Sequence, residues 1–328
     1  MNYRYVCCNL IFSPITPTPP SMKQTIKAAL DIGTNSTLFL LAELNENGAV
    51  QPLHHEVRTN DLGRGTDGQG NLQPQTIALN LELLRSFRDY ALAQGANEIL
   101  IAGTEALRRA ANADAFVELV KSVLHLNVRI ISGEEEAFLT YRGVRSGLSE
   151  MNAEVLVVDV GGGSIEIIHG RGEEILHSIS LPLGAVSLDR RFIHSDPPIA
   201  EEVESVHQTV REALPTFSLL GDQSQAELIV CGGTASALAS AAQGLAEYQP
   251  EKIAGYKMTL QCLVEFETRL AKCALSERQA IPGIGRRRAE IILPGTVILI
   301  ELLKALNRTS YLTSERGLRY GLLLSSDP

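Results

Sequence analysis

The sequence predicts an α/β protein made of two halves of like topology. Three observations lead there. Short β-branched runs alternate with longer stretches of helical period. Two different motifs recur in the same order at nearly the same offset. A chain of 328 residues, 45% of them apolar, suits two domains better than one or three.

In order along the chain, residues 13–20 read SPITPTPP, in which the prolines fix φ and remove N–H donors. Residues 1–24 are therefore expected to be a disordered extension. A signal peptide over Tyr5–Phe12 is the competing reading, disfavoured by a single Arg and the lack of a small-x-small cleavage site. Met22 is a candidate alternative start. Strands are expected at Ala28–Leu30 and Thr37–Leu44, at Ile99–Ala102 and at Val128–Ser132. A second set follows at Val155–Asp159, Ile165–His169 and Leu228–Cys231. Helical periods cover Gln75–Gln94, Ala113–Leu124, Glu134–Gly147 and Glu201–Leu214. The expected units are a first domain over 25–148, a second over 149–305 and a C-terminal segment over 306–328 that packs back on the first domain.

The repeat is the most informative feature. Asp31-Ile-Gly33-Thr34-Asn35-Ser36 and Asp159-Val-Gly161-Gly162-Gly163-Ser164 share Asp, Gly and Ser at an offset of 128 positions, each between two apolar runs. Glu98-Ile-Leu-Ile-Ala-Gly103-Thr104 resembles Glu227-Leu-Ile-Val-Cys-Gly232-Gly233-Thr234 with one extra residue. A strand that ends in Asp, turns through Gly-x-x-Ser and re-enters as a strand is a hairpin whose glycines permit φ > 0 and let an anion approach backbone N–H groups. Alone, such a turn reads as a hairpin capped by its Asp. Two of them facing each other supply two anion nests and two carboxylates, Asp31 and Asp159, hard oxygen donors suited to Mg²⁺ (or Mn²⁺). Gly232-Gly233-Thr234 opens a helix, another anion-friendly place. No GxxxxGK[ST] loop and no GxGxxG after a strand occurs.

Ser132-Gly-Glu134-Glu135-Glu136 ends a strand and caps a helix whose first turn is acidic, which suits the helix dipole. A carboxylate facing an anionic substrate also serves as a base that orients and deprotonates water. The residues alone leave both readings open.

Charge separates along the chain. The formal net charge is −9, yet Lys272–Arg319 holds nine basic and four acidic residues. This excludes a chain coated in nucleic acid and suggests, in Gly283-Ile-Gly-Arg286-Arg287-Arg288, an electrostatic track for an extended anion. No DNA partner is expected. The apolar run Ile291–Ile300 contains Pro294 and Gly295 and falls short of the roughly 20 residues of a bilayer span, so no membrane partner is expected either. The five cysteines, Cys7, Cys8, Cys231, Cys262 and Cys273, form no CxxC or Cys/His cluster, which points to a reducing cytoplasm.

Seven motifs, from Asp31-Ile-Gly-Thr-Asn-Ser36 through Gly103-Thr104-Glu-Ala-Leu-Arg108, Ser132-Gly-Glu-Glu-Glu-Ala137, Asp159-Val-Gly-Gly-Gly-Ser-Ile-Glu166, Gly232-Gly-Thr234 and Arg288-Ala-Glu-Ile-Ile-Leu-Pro-Gly295 to Ser314-Glu-Arg-Gly-Leu-Arg319, resemble the exopolyphosphatase/guanosine pentaphosphatase (Ppx/GppA) family. The resemblance covers about residues 26–325. It implies two actin-like (ribonuclease H-like) domains of the acetate kinase/sugar kinase/Hsp70/actin superfamily around a central cleft. It also implies Mg²⁺ dependence and hydrolysis of the terminal phosphoanhydride of polyphosphate or guanosine pentaphosphate, with a homodimer as a family expectation. Carried onto this chain, it makes Glu136 the water-activating base, with Glu135 the alternative in the three-Glu run, adds Glu166 and makes Arg108 a phosphate clamp. Ile165 stands where many members have Thr. The chain contains no His-Asp dipeptide and resembles the short, two-domain form. A small-molecule kinase of the same superfamily and a non-catalytic pppGpp or polyphosphate sensor are the rival readings.

Overall fold

The structure, a computed structural model, describes residues 25–45, 48–150, 153–214, 223, 225–286 and 288–325. The extension read over 1–24, with Cys7, Cys8 and Met22, lies outside these residues, as do Arg287 and residues 326–328.

The first half runs β1 (Thr25–Ile32), β2 (Ser36–Leu44), β3 (Val50–Thr59), α1 (Pro74–Ala93), β4 (Glu98–Gly103), α2 (Glu105–Arg109), α3 (Ala113–Leu124), β5 (Val128–Ile130) and α4 (Gly133–Arg145). The second begins β6 (Glu154–Val160), β7 (Ile165–Arg171), β8 (Glu174–Leu181), α5 (Ala185–Phe192), α6 (Ala200–Ala213), β9 (Glu227–Cys231) and α7 (Gly233–Ala242). It continues α8 (Pro250–Ile253), β10 (Lys257–Thr259), α9 (Leu260–Leu270), α10 (Leu275–Gln279), α11 (Ile292–Ala305), β11 (Ser310–Thr313) and α12 (Leu318–Leu324).

Two sheets carry the halves, ordered β3-β2-β1-β4-β5 and β10-β11-β9-β6-β7-β8. In each, an antiparallel meander of three strands is continued by parallel strands: β1 pairs with β4 and β4 with β5, while β6 pairs with β9 and β9 with β11. The repeated motifs thus stand for a repeated topology. Its third strands, β3 and β8, lie at sheet edges and gave no clear period in the sequence, because β3 carries Pro52 and a register shift beside Leu41/Ala42.

Burial explains the layers. On the outer face of the first sheet, Leu30, Ile32, Phe39 and Leu41 pack with Leu84 and Phe87 of α1 and Phe116 and Val120 of α3. Its inner face, offset by one residue along each strand, sets Ala29, Leu40 and Ala102 against Leu318, Leu322 and Leu323 of α12. The inner face of the second sheet, Val155, Val157, Ile168 and Ile229, takes Ala137, Tyr141 and Val144 of α4. Each half therefore sends the helix after its last parallel strand onto the other half's sheet. Where α4 and α12 cross, a Cβ on Gly143 would run into the Gly317 carbonyl and one on Gly321 into the Leu139 carbonyl. The apolar run at 291–300 becomes α11, buried in the second core, and no described helix is long and apolar enough to cross a membrane.

Candidate active site

The two Gly-x-x-Ser turns face each other across a cleft of about 280 Å³ between the sheets. Gly33 donates its N–H to the Ser36 carbonyl at 3.0 Å, and Gly161 to that of Ser164 at 3.0 Å. Each turn is backed by the loop after the third strand. Asn60 and Gly63 donate to the carbonyls of Asn35 (3.1 Å) and Thr34 (2.7 Å), while Asn60 Nδ2 holds that of Gly33 (2.8 Å). In the second half, Ala185 and Val186 donate to the carbonyls of Gly161 (3.1 Å) and Gly162 (2.9 Å). Those lone pairs are engaged from behind, which is the polarity an anion in the cleft needs.

The glycines serve a different purpose from the one expected. Among Gly33, Gly161, Gly162, Gly163, Gly232 and Gly233, only Gly232 has a positive φ, 92°. At the others the need is space: a Cβ on Gly161 would stand 2.9 Å from the Ser164 carbonyl oxygen, and one on Gly163 would meet Thr34 Oγ1 of the opposite turn. Gly232 caps α7, and a Cβ there would lie 2.5 Å from Asp159 Oδ1. Thr234 follows it, buried against Gly295.

Besides Glu105, which binds Arg108, five carboxylates meet between the turns. Asp31 closes β1 and Asp159 closes β6; burial pushes Asp31 up to about 8, with Glu136 and Asp159 adding to the shift, and pushes Asp159 up to about 6. Glu136, in the first turn of α4, is buried, and burial raises it to about 7 against the pull of Arg108. Glu166, on β7, accepts from Ser180 Oγ at 2.9 Å and is driven well above the usual range by burial. Glu315, pushed up to about 7 by burial, is the carboxylate that reasoning from sequence missed. Its signal was present in Ser314-Glu-Arg-Gly-Leu-Arg319: an acid followed by two arginines at a strand-to-helix junction.

Two sequence readings change. Glu135 points outward: its backbone N–H donates to the capping Ser132 Oγ at 3.0 Å and its carboxylate pairs with Arg129, away from the cleft. Arg108 does not stand open as a clamp. Its Nη1 donates to Glu136 Oε2 (2.6 Å) and the Ile131 carbonyl (3.0 Å), while Nε and Nη2 bind Glu105 Oε2 (3.2 and 3.0 Å). In the unliganded cleft it positions Glu136.

The basic track also disperses. Arg278 is buried beside Asp196, Arg308 donates to the Ala226 carbonyl, Lys304 binds Glu301, and Arg319 donates to the Phe39 carbonyl at 3.0 Å. Among the described residues of that segment, only Arg288, Arg316 and Arg319 line the cleft. Arg288 lies over Gly233 with no carboxylate paired to it among the described residues, and burial lowers it to about 10.

The donor set suits a magnesium ion. Asp31 Oδ1 is buried without a hydrogen-bond partner, an orphaned hard oxygen in the cleft. No described group of three His, Cys, Asp or Glu could hold a metal alone. Mg²⁺ does not require one, since it is held by one or two carboxylates plus water and phosphate oxygens.

The sequence profile of the Ppx/GppA phosphatase family matches residues 42–328. The chain belongs to that family. It is 31% identical to exopolyphosphatase 2 of Mycobacterium tuberculosis over 317 residues, 93% of this chain and 99% of the relative. Among solved structures it resembles the Ppx/GppA enzyme of Aquifex aeolicus, with a TM-score of 0.77 at 30% identity over 92% of this chain and 100% of that one. An exopolyphosphatase from Cytophaga hutchinsonii aligns with a TM-score of 0.81 at 25% identity over 90% of this chain and 96% of that one. The Ppx/GppA fold is thus the two-sheet, actin-like α/β arrangement described above.

Proposed function

We propose that this phosphatase is a Mg²⁺-dependent exopolyphosphatase that releases the terminal phosphate of inorganic polyphosphate, with guanosine pentaphosphate as the second candidate substrate. The observation that carries the reading is Glu136: a buried carboxylate, fixed by Arg108 between two turns shaped for phosphate, with its pKa raised to about 7.

The chain's own groups divide the work as follows. The turns at Gly33–Ser36 and Gly161–Ser164 hold the oxygens of the terminal phosphoryl group. Asp31 and Asp159 would hold the metal, which when bound neutralises phosphoryl charge. Glu136 accepts a proton from water as its oxygen bonds to phosphorus, and the anhydride P–O bond breaks with its electron pair passing to the shortened chain. Arg319, near the carboxylates, offsets their mutual repulsion. The cytoplasm is the proposed setting, supported by the unpaired Cys231, Cys262 and Cys273.

The test is phosphate release from polyphosphate by Glu136→Gln, expected to fall by roughly 10²–10⁴. Glu135→Gln should retain activity. The reverse pattern would move the base to Glu135, and near wild-type release by both variants would refute the mechanism.

A further inference from the structure

Next to the cleft is a second, solvent-open depression lined by Arg108 and by the exposed Ser132, Glu134, Ser178 and Ser180. Its open volume of about 630 Å³ is ample for a hydrated orthophosphate. Two side-chain pairs bridge the two spaces. Arg108 lines the outer cavity and binds Glu136, which lines the cleft; Ser180 lines the outer cavity and binds Glu166, which lines the cleft. Glu105 borders both.

An enzyme that trims a polymer from a buried end has a traffic problem. While the remaining chain occupies the mouth of the cleft, the cleaved phosphate sits at the inner end. We propose that orthophosphate leaves through this second cavity, with Arg108 as the door that swings from Glu136 toward the outer space. The proposal rests on the hydrolytic reading above. The chemistry supplies the trigger: Glu136 takes the water's proton and loses its charge, which weakens its hold on Arg108 Nη1 and lets the guanidinium pivot on its Glu105 anchor toward the new phosphate dianion. The serine hydroxyls offer hydrogen bonds along the way. Glu105 and Glu134 carry the same sign as the product, so the passage conducts phosphate outward without retaining it.

The experiment narrows the passage without touching the cleft. In Ser178→Trp, acid-quenched rapid mixing with polyphosphate should give a first turnover at the wild-type rate, followed by a steady state slower by about tenfold, because release has become limiting. Ser178→Cys, capped after folding with a bulky disulfide-forming reagent, should show the same burst and recover on reduction. Wild type treated identically reports what Cys262 and Cys273 contribute. A steady state equal to wild type in both blocked forms overturns the door, as does a first turnover slowed as much as the steady state. Were wild type itself to release no phosphate from polyphosphate, the hydrolytic reading would fall and the door with it.

Discussion

Arg108 offers the sharpest test of how the site is built, because its two readings, phosphate clamp and positioning group for Glu136, diverge when it is replaced by Met. The 2.6 Å bond to Glu136 puts the charge centres about 4 Å apart, worth about 4 kcal/mol at an effective dielectric of ~20. The pair is largely buried, so salt screens it little. Removing the cation disfavours the ionised carboxylate, and its pKa, already about 7, should climb by up to ~3 units. At pH 7 the variant should therefore lose about 10²–10³ in kcat/KM and regain much of it by pH 9 to 10. The assay is phosphate release across pH 5.5–10, read as the position of the acid limb. An acid limb that stays in place while KM for polyphosphate rises would refute the positioning role and restore the clamp.

Three further outcomes follow from other parts of the molecule. Gly321→Ala sets a Cβ 2.9 Å from Leu139 Cα and into its carbonyl, so α12 must lift from α4 at a cost of about 1–3 kcal/mol, measured by urea unfolding; an unchanged midpoint would show that the crossing is loose. His207 lies between Glu301 and Glu267, 2.7 Å from each; burial opposes its charge, but the two glutamates win and raise its pKa. A raised folded pKa adds stability that is complete below the unfolded value of about 6.5 and is lost as pH rises through the folded one. The melting-temperature advantage of wild type over His207→Gln should shrink from pH 6 to pH 9, and a constant difference would contradict the assignment. Finally, chelation should abolish phosphate release, and Asp31→Asn should demand more than about tenfold higher Mg²⁺ for half activity; an unchanged Mg²⁺ titration would remove Asp31 from the metal site.

Much of the fold was legible because a duplicated motif constrains topology as well as local structure. Asp31 and Asp159, at one offset, implied two hairpins, and the hairpins implied facing sheets. What escaped was whatever depends on closure of one half upon the other. Glu315 becomes a cleft carboxylate only because β11 joins the second sheet beside β9. Charge counting overstated the basic segment, since Arg278 and Arg308 are spent on internal partners that no local pattern reveals. Arg108 was read from its motif without Glu105 and Glu136 around it, and the motif glycines were read for dihedral freedom where clearance was the requirement. The three-Glu run could not be resolved by type, but helical geometry resolves it: Ser132 caps Glu135, and 100° further round α4 Glu136 turns inward.

The crossed helices have a consequence for how the chain can be divided. α4 follows the last parallel strand of its own half and covers the other sheet, and α12 does the same in return. A single half, cut out alone, would present one bare apolar sheet face to water. Neither half is therefore a self-sufficient folding unit, and the crossed helices tie the stability of each sheet to the presence of the other.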